Sequence, residues 1–293
     1  MILQIFTIIA PVIFIAALGY IWEKRKMPFD TNVISYLCSY IGAPCLMLNT
    51  LLHNKVDLSV VARIVLAAIL LVIIMGAIGW ALAKVLKLPP RVYAPALMFP
   101  NSGNMGMPLC LFAFGPTGLA FAVTFFATMA GLQFSVGASI ASGKFALRGL
   151  FTNPVIIAIV FAGILMAMDA TLPEWAFNIL ALLGNIMIPL MLLSLGTSLA
   201  KLQVASFGRS IGFSVLRLAG GLVVGMGIAY VLGLDGAARG SVIIQSTMPI
   251  AVFTYMFALR FDNRPEEVAA MVFISTILSF LTLPFLMAFV LSL

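Results

Sequence analysis

The sequence predicts an all-α polytopic membrane protein, and three observations support that fold class. Only 9% of the 293 residues are charged and 63% are hydrophobic, against about 25% and about 45–50% in ordinary soluble domains. The hydrophobic residues form continuous runs of about 20 residues, the length that crosses a bilayer as a helix. These runs lack the polar–apolar alternation of a membrane β-barrel. The composition therefore excludes a soluble enzyme, a disordered chain and a secreted disulfide scaffold.

Ten hydrophobic spans are predicted along the chain. They cover residues 2–22, 32–52, 60–83, 92–114, 117–143, 152–168, 175–199, 207–232, 237–259 and 266–291. Charged or helix-breaking residues separate them, for example Lys24-Arg25-Lys26 after the first span and Gly115-Pro116 after the fourth. The first span lacks the basic start and cleavage site of a signal peptide, so we expect it to remain as a transmembrane helix.

Basic residues lie mostly on one side of the predicted bundle. Of the 16 Lys and Arg residues, 12 lie on that side: Lys24, Arg25, Lys26, Lys84, Lys87, Arg91, Lys144, Arg148, Lys201, Arg209, Arg260 and Arg264. The opposite side has three, Lys55, Arg63 and Arg239, and Arg217 lies within span 8. Because basic loops stay in the cytoplasm, both termini are expected on the non-cytoplasmic side. The net charge of +7 then indicates topology and not a nucleic-acid partner.

Two features recur about 145 residues apart. Pro44 in span 2 and Pro189 in span 7 each precede a stretch rich in Leu and Met. The Asn101-Ser102 pair in span 4 corresponds in position to Gln245-Ser246 in span 9. This recurrence indicates that the chain contains an internal repeat.

We therefore expect two five-span repeats, residues 1–143 and 152–293, joined by a short cytoplasmic linker at residues 144–151. An odd number of spans in each repeat gives the repeats opposite orientations. Inverted repeats of this kind are common in secondary transporters.

Spans 4 and 9 contain the residues that interrupt helices. From Pro100 to Pro108 span 4 holds two Pro, two Gly, two Asn and one Ser. Proline removes a backbone donor and clashes with the preceding turn, and glycine lets the backbone unwind. Span 9 has a milder version, with polar residues from Gln245 to Thr247 followed by Pro249. Because irregular backbone at membrane depth must line a cavity or lie within protein, we expect both spans to break near the bilayer midplane.

The two broken helices are expected to cross there. Each would then offer a half-helix N-terminus with partial positive charge. These N-termini, together with the side-chain amides of Asn101, Asn104 and Gln245, would bind a carboxylate. The alternative is a pair of kinked helices in which the amides only satisfy loose backbone groups.

The segment from Phe99 to Leu109, FPNSGNMGMPL, resembles the span-4 signature of the auxin efflux carrier family, which includes the plant PIN-formed auxin carriers and many bacterial members. The segment from Gln245 to Phe253 resembles the matching signature in span 9, with Ile244 where plant members often have proline. Pro44 and Pro189 also fall where the family has prolines. The short linker between the halves is typical of bacterial members.

The resemblance implies ten helices divided into a scaffold domain (spans 1, 2, 6 and 7) and a transport domain (spans 3–5 and 8–10). It implies an elevator-like carrier in the bacterial inner membrane. Its substrate would be a small organic anion, a mono- or dicarboxylate such as malonate, malate or an auxin-like acid. A homodimer is implied as well, and no cofactor or metal is expected. The candidate substrate-binding residues are Asn101, Ser102, Asn104, Gln245, Ser246, Asn49, Thr50 and Ser194; Pro100, Gly103, Gly106, Pro108 and Pro249 would hold the helix breaks.

Other polar residues leave alternatives open. Arg217 could attract an anion, or it could snorkel or hydrogen-bond a carbonyl group. No Asp or Glu lies deep within a span, which disfavours a cation antiporter. The absence of paired carboxylates or a second histidine disfavours an enzyme. Two rivals remain: a sodium-coupled organic-anion symporter of the bile-acid type, and a membrane ligand sensor that transports nothing.

Overall fold

A computed structural model describes residues 2–53, 56–144, 154–168, 170–202 and 208–293 of the chain. Over these residues the regular structure is helical, and the β-structure consists of one isolated bridge between Pro100 and Ile250. Most of the predicted linker, together with Lys55 and Arg148 from the charge count, lies outside the described residues.

The described residues form fourteen α-helices and three π-helical turns. The π turns are Cys38–Gly42, Ser102–Gly106 and Gln133–Gly137. The α-helices are α1 (Ile2–Lys24), α2 (Thr31–Leu37), α3 (Ala43–His53), α4 (Leu58–Val85), α5 (Pro90–Met98), α6 (Met107–Leu132), α7 (Ala138–Ser142), α8 (Pro154–Ala167), α9 (Glu174–Asn185), α10 (Met187–Lys201), α11 (Gly208–Val231), α12 (Gly236–Thr247), α13 (Val252–Arg260) and α14 (Pro265–Ser292).

Seven helical segments among the described residues are long and apolar enough to cross a membrane. They are Ile2–Lys24, Val33–His53, Leu58–Val85, Ser102–Ser142, Glu174–Lys201, Gly208–Val231 and Pro265–Ser292, and Pro154–Ala167 is a shorter apolar helix. The prediction of an all-helical, multi-pass membrane protein is confirmed at this level.

The count of seven differs from the ten predicted spans for a physical reason. Predicted span 9 consists of two short helices, α12 and α13, and neither is long enough alone to cross a bilayer. The segment Ser102–Ser142 is counted once, although a kink divides it at Gly115, whose φ of 66° and ψ of −155° are not helical. The ten-span count therefore stays a prediction.

Local sequence explains where several helices begin and end. The Asp57 carboxylate caps α4 by accepting a hydrogen bond from the Ser59 N–H at 2.7 Å, and this bond lowers the pKa of the Asp57 carboxyl. Pro90 and Pro265 occupy first helical turns, where a missing N–H breaks no intrahelical bond. Gly143 ends α7 with a φ of 70°, a left-handed conformation that glycine adopts without strain.

The helices pack in several close pairs. α1 packs along α10, and α3 packs against α8, α9 and α6. α4 packs against α5 and α6, while α11 packs against α12 and α14. The backbones of α1 and α10 touch, because a Cβ atom on Gly196 would overlap the carbonyl oxygen of Ala16.

Replacing Gly196 by alanine should destabilise the protein, because the new methyl group meets backbone that cannot move aside. We expect a loss of about 1–3 kcal/mol, the range for overpacked interiors, measured as a lower midpoint of thermal unfolding in detergent. Gly227→Ala on α11 is the matched control, since no atom lies within 4 Å of its added Cβ. A midpoint for Gly196→Ala equal to that of Gly227→Ala would contradict the close α1–α10 contact.

Candidate functional site

The two irregular segments predicted in spans 4 and 9 meet inside the protein. One is Phe99–Asn101, between α5 and the π turn Ser102–Gly106, and the other is Met248–Ala251, between α12 and α13. The Asn101 N–H donates to the Pro249 carbonyl at 2.7 Å, and the Ala251 N–H donates to the Phe99 carbonyl at 3.0 Å. Each break therefore supplies backbone partners that the other needs in a medium without water.

Side chains of neighbouring helices satisfy further backbone groups in the second break and at the end of α12, next to it. The Ile250 N–H donates to the Ser275 hydroxyl of α14 at 3.1 Å. The guanidinium of Arg217, on α11, donates from Nη2 to the Ser246 carbonyl at 2.8 Å. Of the alternatives weighed for Arg217, the structure thus shows a hydrogen bond to a carbonyl group.

Two glycines bring other groups close to the break in span 4. A Cβ atom on Gly106 would overlap the side-chain amide of Gln245, and one on Gly103 would lie 2.8 Å from Met191 Cε. Both glycines belong to the π turn Ser102–Gly106. Pro108 lies beyond this turn, in the first turn of α6. The glycines therefore permit the contact between the π turn and its neighbours on α12 and α10.

Buried polar atoms without a partner concentrate where the breaks meet. Among the described residues, six buried side-chain nitrogen or oxygen atoms have no hydrogen-bond partner, and five of them belong to four residues. The five atoms are Asn101 Nδ2, Arg217 Nε and Nη1, Gln245 Oε1 and Ser246 Oγ. We call Asn101, Arg217, Gln245 and Ser246 the buried polar cluster. Because each such atom costs about 1–3 kcal/mol, a concentration of them marks a candidate functional site.

A partly open cavity lies next to the two breaks, where Asn104 of the π turn and Val252 at the start of α13 line it. Three Phe and three Met side chains form much of its wall, and none of its lining side chains is charged. Its polar lining consists of hydroxyl and amide groups from Thr31, Ser35, Ser39, Asn104, Gln133, Ser194 and Ser198. The cavity therefore combines an apolar wall with neutral hydrogen-bonding groups.

All three π turns reach this cavity. Ser39 comes from the first, Asn104 from the second, and Gln133 from the third. Single π turns within α-helices occur frequently at functional sites. The first turn of α13 also lines the cavity, through Val252 and Phe253. Because the first N–H groups of a helix lack intrahelical acceptors and carry partial positive charge, this end of α13 favours an anion in the cavity.

The structure divides the predicted binding residues into two sets. Asn104 and Ser194 line the cavity, whereas Asn101, Gln245 and Ser246 lie in the buried polar cluster. Ser102 is buried at the start of the π turn, one residue from the cluster.

Asn49 and Thr50, on α3, do not line the cavity. The Thr50 hydroxyl instead donates within its own helix to the Leu46 carbonyl at 2.8 Å. The structure therefore does not bring these two residues together with the other candidates.

Several lining residues have only a weak signal in the sequence. Thr31, Ser35 and Ser39 recur every four residues, and so do Ser194 and Ser198, which places each set on one helix face. Such spacing is ordinary in membrane helices, and it becomes informative only when both faces meet at one cavity. Gln133, whose Nε2 donates to Thr254 Oγ1 at 3.4 Å, lies in a π turn that the sequence does not predict.

Comparison with known proteins assigns the family. A sequence profile described as membrane transport protein matches residues 4–140 and 138–287. An uncharacterized transporter of Methanothermobacter thermautotrophicus is 27% identical over 290 residues, covering 93% of this chain and 94% of that protein. An uncharacterized transporter of Methanocaldococcus jannaschii is 23% identical over 272 residues, covering 86% of this chain and 87% of that protein. The chain therefore belongs to the membrane transport protein family, also called the auxin efflux carrier family, as the segments around Asn101 and Gln245 predicted.

Proposed function

We propose that the protein is a secondary transporter of a small organic anion in the bacterial inner membrane, working by elevator-like alternating access. The observation that carries this proposal is that the cavity is lined by Asn104 and Val252, which follow the two breaks, while unpartnered polar atoms of the buried polar cluster collect at those breaks. Binding sites of secondary transporters typically lie at such discontinuous helices.

The chemistry of the site favours a carboxylate. Asn101 Nδ2 is a buried donor without a partner, and Val252 and Phe253 in the first turn of α13 line the cavity. A carboxylate only accepts hydrogen bonds, so it complements such donors. The Phe and Met side chains of the cavity wall suit the apolar part of an organic acid. A mono- or dicarboxylate such as malonate, malate or an auxin-like acid fits this description.

The proposed mechanism divides the helices into a scaffold domain and a moving transport domain. In the proposed division the scaffold contains α1–α3 and α8–α10, and the transport domain contains α4–α7 and α11–α14. The cavity is lined from both, by Ser35 and Ser194 of the scaffold and by Asn104 and Val252 of the transport domain. Sliding the transport domain along the scaffold would carry the bound acid from one side to the other. The inverted repeats 1–143 and 152–293, with ten spans, are part of this proposal.

The cavity is proposed to open toward the cytoplasm. Thr31, which lines it, accepts a hydrogen bond from Lys201 Nζ at 3.5 Å, and Lys201 also pairs with Glu23 at 3.4 Å. Lys201 belongs to the side of the bundle that carries most basic residues, which is the cytoplasmic side by the positive-inside rule. This orientation places both termini on the opposite side.

Replacing Asn101 by alanine should reduce transport without unfolding the protein. The hydrogen bonds between the breaks use the backbone N–H of Asn101, which alanine retains. Losing one donor to a charged group costs about 1.5–3 kcal/mol, so uptake should fall about 10- to 100-fold. The measurement is uptake of labelled malonate, malate and indole-3-acetate into proteoliposomes, with Asn178→Ala on the exposed surface of α9 as the control.

The same assay separates the rival functions. Each acid is tested with a sodium gradient, a pH gradient and an imposed voltage. A strict sodium requirement would favour the symporter of the bile-acid type. Saturable binding without flux would favour the sensor, and undiminished uptake by Asn101→Ala would refute the proposed role of the breaks.

The proposed orientation predicts which face of the membrane reaches the cavity. In a variant with Cys38, Cys45 and Cys110 replaced by serine, a cysteine at Ser198 should react with a membrane-impermeant maleimide added from the cytoplasmic face. A cysteine at Ser59, which is exposed at the start of α4, should react only from the opposite face. The labelled fraction is measured by mass spectrometry. Labelling of the two positions from the same face would exclude the orientation.

A further inference from the structure

Arg217 has surroundings that differ from those of every other ionic side chain in the described part of the chain. Its exposed fraction is 0%, and no other charged side chain among these residues is classed as buried. A guanidinium keeps its proton in proteins. The described ion pairs join other residues, so the positive charge of Arg217 has no carboxylate partner there.

The end of α12 compensates this charge only in part. Arg217 Nη2 bonds the Ser246 carbonyl at 2.8 Å, within the last turn of α12. A helix C-terminus carries about half a negative charge. Two further donors, Nε and Nη1, remain without a partner. The buried polar cluster therefore keeps a net positive charge, which is costly at membrane depth.

Close packing holds α11, which carries Arg217, against the end of α12 next to the second break. A Cβ atom on Gly221 would overlap the Ser246 carbonyl oxygen, and one on Gly225 would lie 2.6 Å from Ser246 Cβ. The backbone of α11 therefore rests directly on the end of α12. A movement that carries the break must carry Arg217 with it.

We propose that Arg217 is a positioning residue that supplies the fixed counter-charge of the transported acid. This inference rests on the proposed function. Arg217 does not line the cavity, so it attracts the acid electrostatically through the region where the two breaks meet. The low dielectric of this buried region strengthens the attraction between the two charges. When the loaded site moves across the membrane, its net charge is then the charge of the acid plus the single positive charge of Arg217. The loaded site is neutral for a monocarboxylate, and the empty site carries the positive charge back.

The two halves of the chain differ in this respect. The position 145 residues before Arg217 is Val72, a buried aliphatic residue of α4. The first break thus has no cation that corresponds to Arg217. The expected net charge of the empty moving site is therefore +1, from Arg217 alone.

The test compares exchange with net uptake under an imposed voltage. In exchange, acid is present on both sides of the proteoliposome and only the loaded site moves. For indole-3-acetate, exchange by the native protein should not change with voltage, whereas net uptake should. In Arg217→Gln the loaded site gains one uncompensated negative charge. A full charge at 100 mV shifts the equilibrium of the loaded site between the two membrane faces about 50-fold. Exchange needs movement in both directions and is limited by the slower one, so the exchange rate of Arg217→Gln should fall about threefold.

Control variants separate charge from packing. Arg217→Lys keeps the charge and should retain voltage-independent exchange even where its rate is lower. Arg209→Gln removes an exposed charge from the same helix and should behave as the native protein. If Arg217→Gln does not fold, the native protein alone provides the test. Its loaded site has one net negative charge with malonate or malate and none with indole-3-acetate. Exchange of the two dicarboxylates should therefore depend on voltage, and exchange of indole-3-acetate should not.

Different results would overturn the role of Arg217 and the transport function. Voltage-dependent exchange of indole-3-acetate by the native protein would overturn the role of Arg217 and leave the transport function intact. An equal voltage dependence in the native protein and in Arg217→Gln would do the same. Absence of flux for all three acids would refute the proposed transport of organic anions, and the counter-charge would fall with it.

Discussion

The backbone groups of two broken helices must find partners in a region without water, and most features of the site follow from this constraint. A proline lies in each break, so Pro100 and Pro249 offer no N–H. The donors that remain, on Asn101 and Ala251, pair with carbonyl groups of the opposite break. Neither break could persist alone in the buried interior, because its backbone polar groups would remain unsatisfied there.

The pairing of the breaks in turn determines where unsatisfied groups can collect. Phe99, Asn101, Pro249 and Ala251 use their backbone atoms on each other, whereas Asn101 Nδ2 and Gln245 Oε1 remain without partners, although Gln245 Nε2 donates to the Ala122 carbonyl at 3.2 Å. Glycines on the neighbouring elements admit these side chains, as Gly106 does for the Gln245 amide. Several polar atoms are therefore buried here without partners, and such groups call for a functional explanation.

The sequence predicts the local features of this molecule better than the site built from them. Composition and run length are sufficient for the helical membrane fold, and the Pro and Gly residues between Pro100 and Pro108 reveal a break because their backbone effects are local. The cavity could not be predicted in the same way. It depends on the π turn that contains Gln133 and on the meeting of hydroxyl groups from α2 and α10, which are tertiary effects. Asn49 and Thr50 have suitable chemistry, but neither lines the cavity, and the Thr50 hydroxyl bonds the Leu46 carbonyl of its own helix.

The π turn between α2 and α3 has a consequence for the angular position of side chains around the helix axis. One extra residue in a turn rotates everything after it by about 100° relative to an uninterrupted α-helix. The hydroxyl stripe of Thr31, Ser35 and Ser39 therefore stops at Cys38–Gly42, and α3 presents a different face, packed against α8 and α9. A single helix thus offers a polar surface along one half of its length and an apolar packing surface along the other. Deleting one residue from this π turn would remove the rotation of about 100°, so the polar surface of α2 and the apolar packing surface of α3 would lie on one continuous face of the helix.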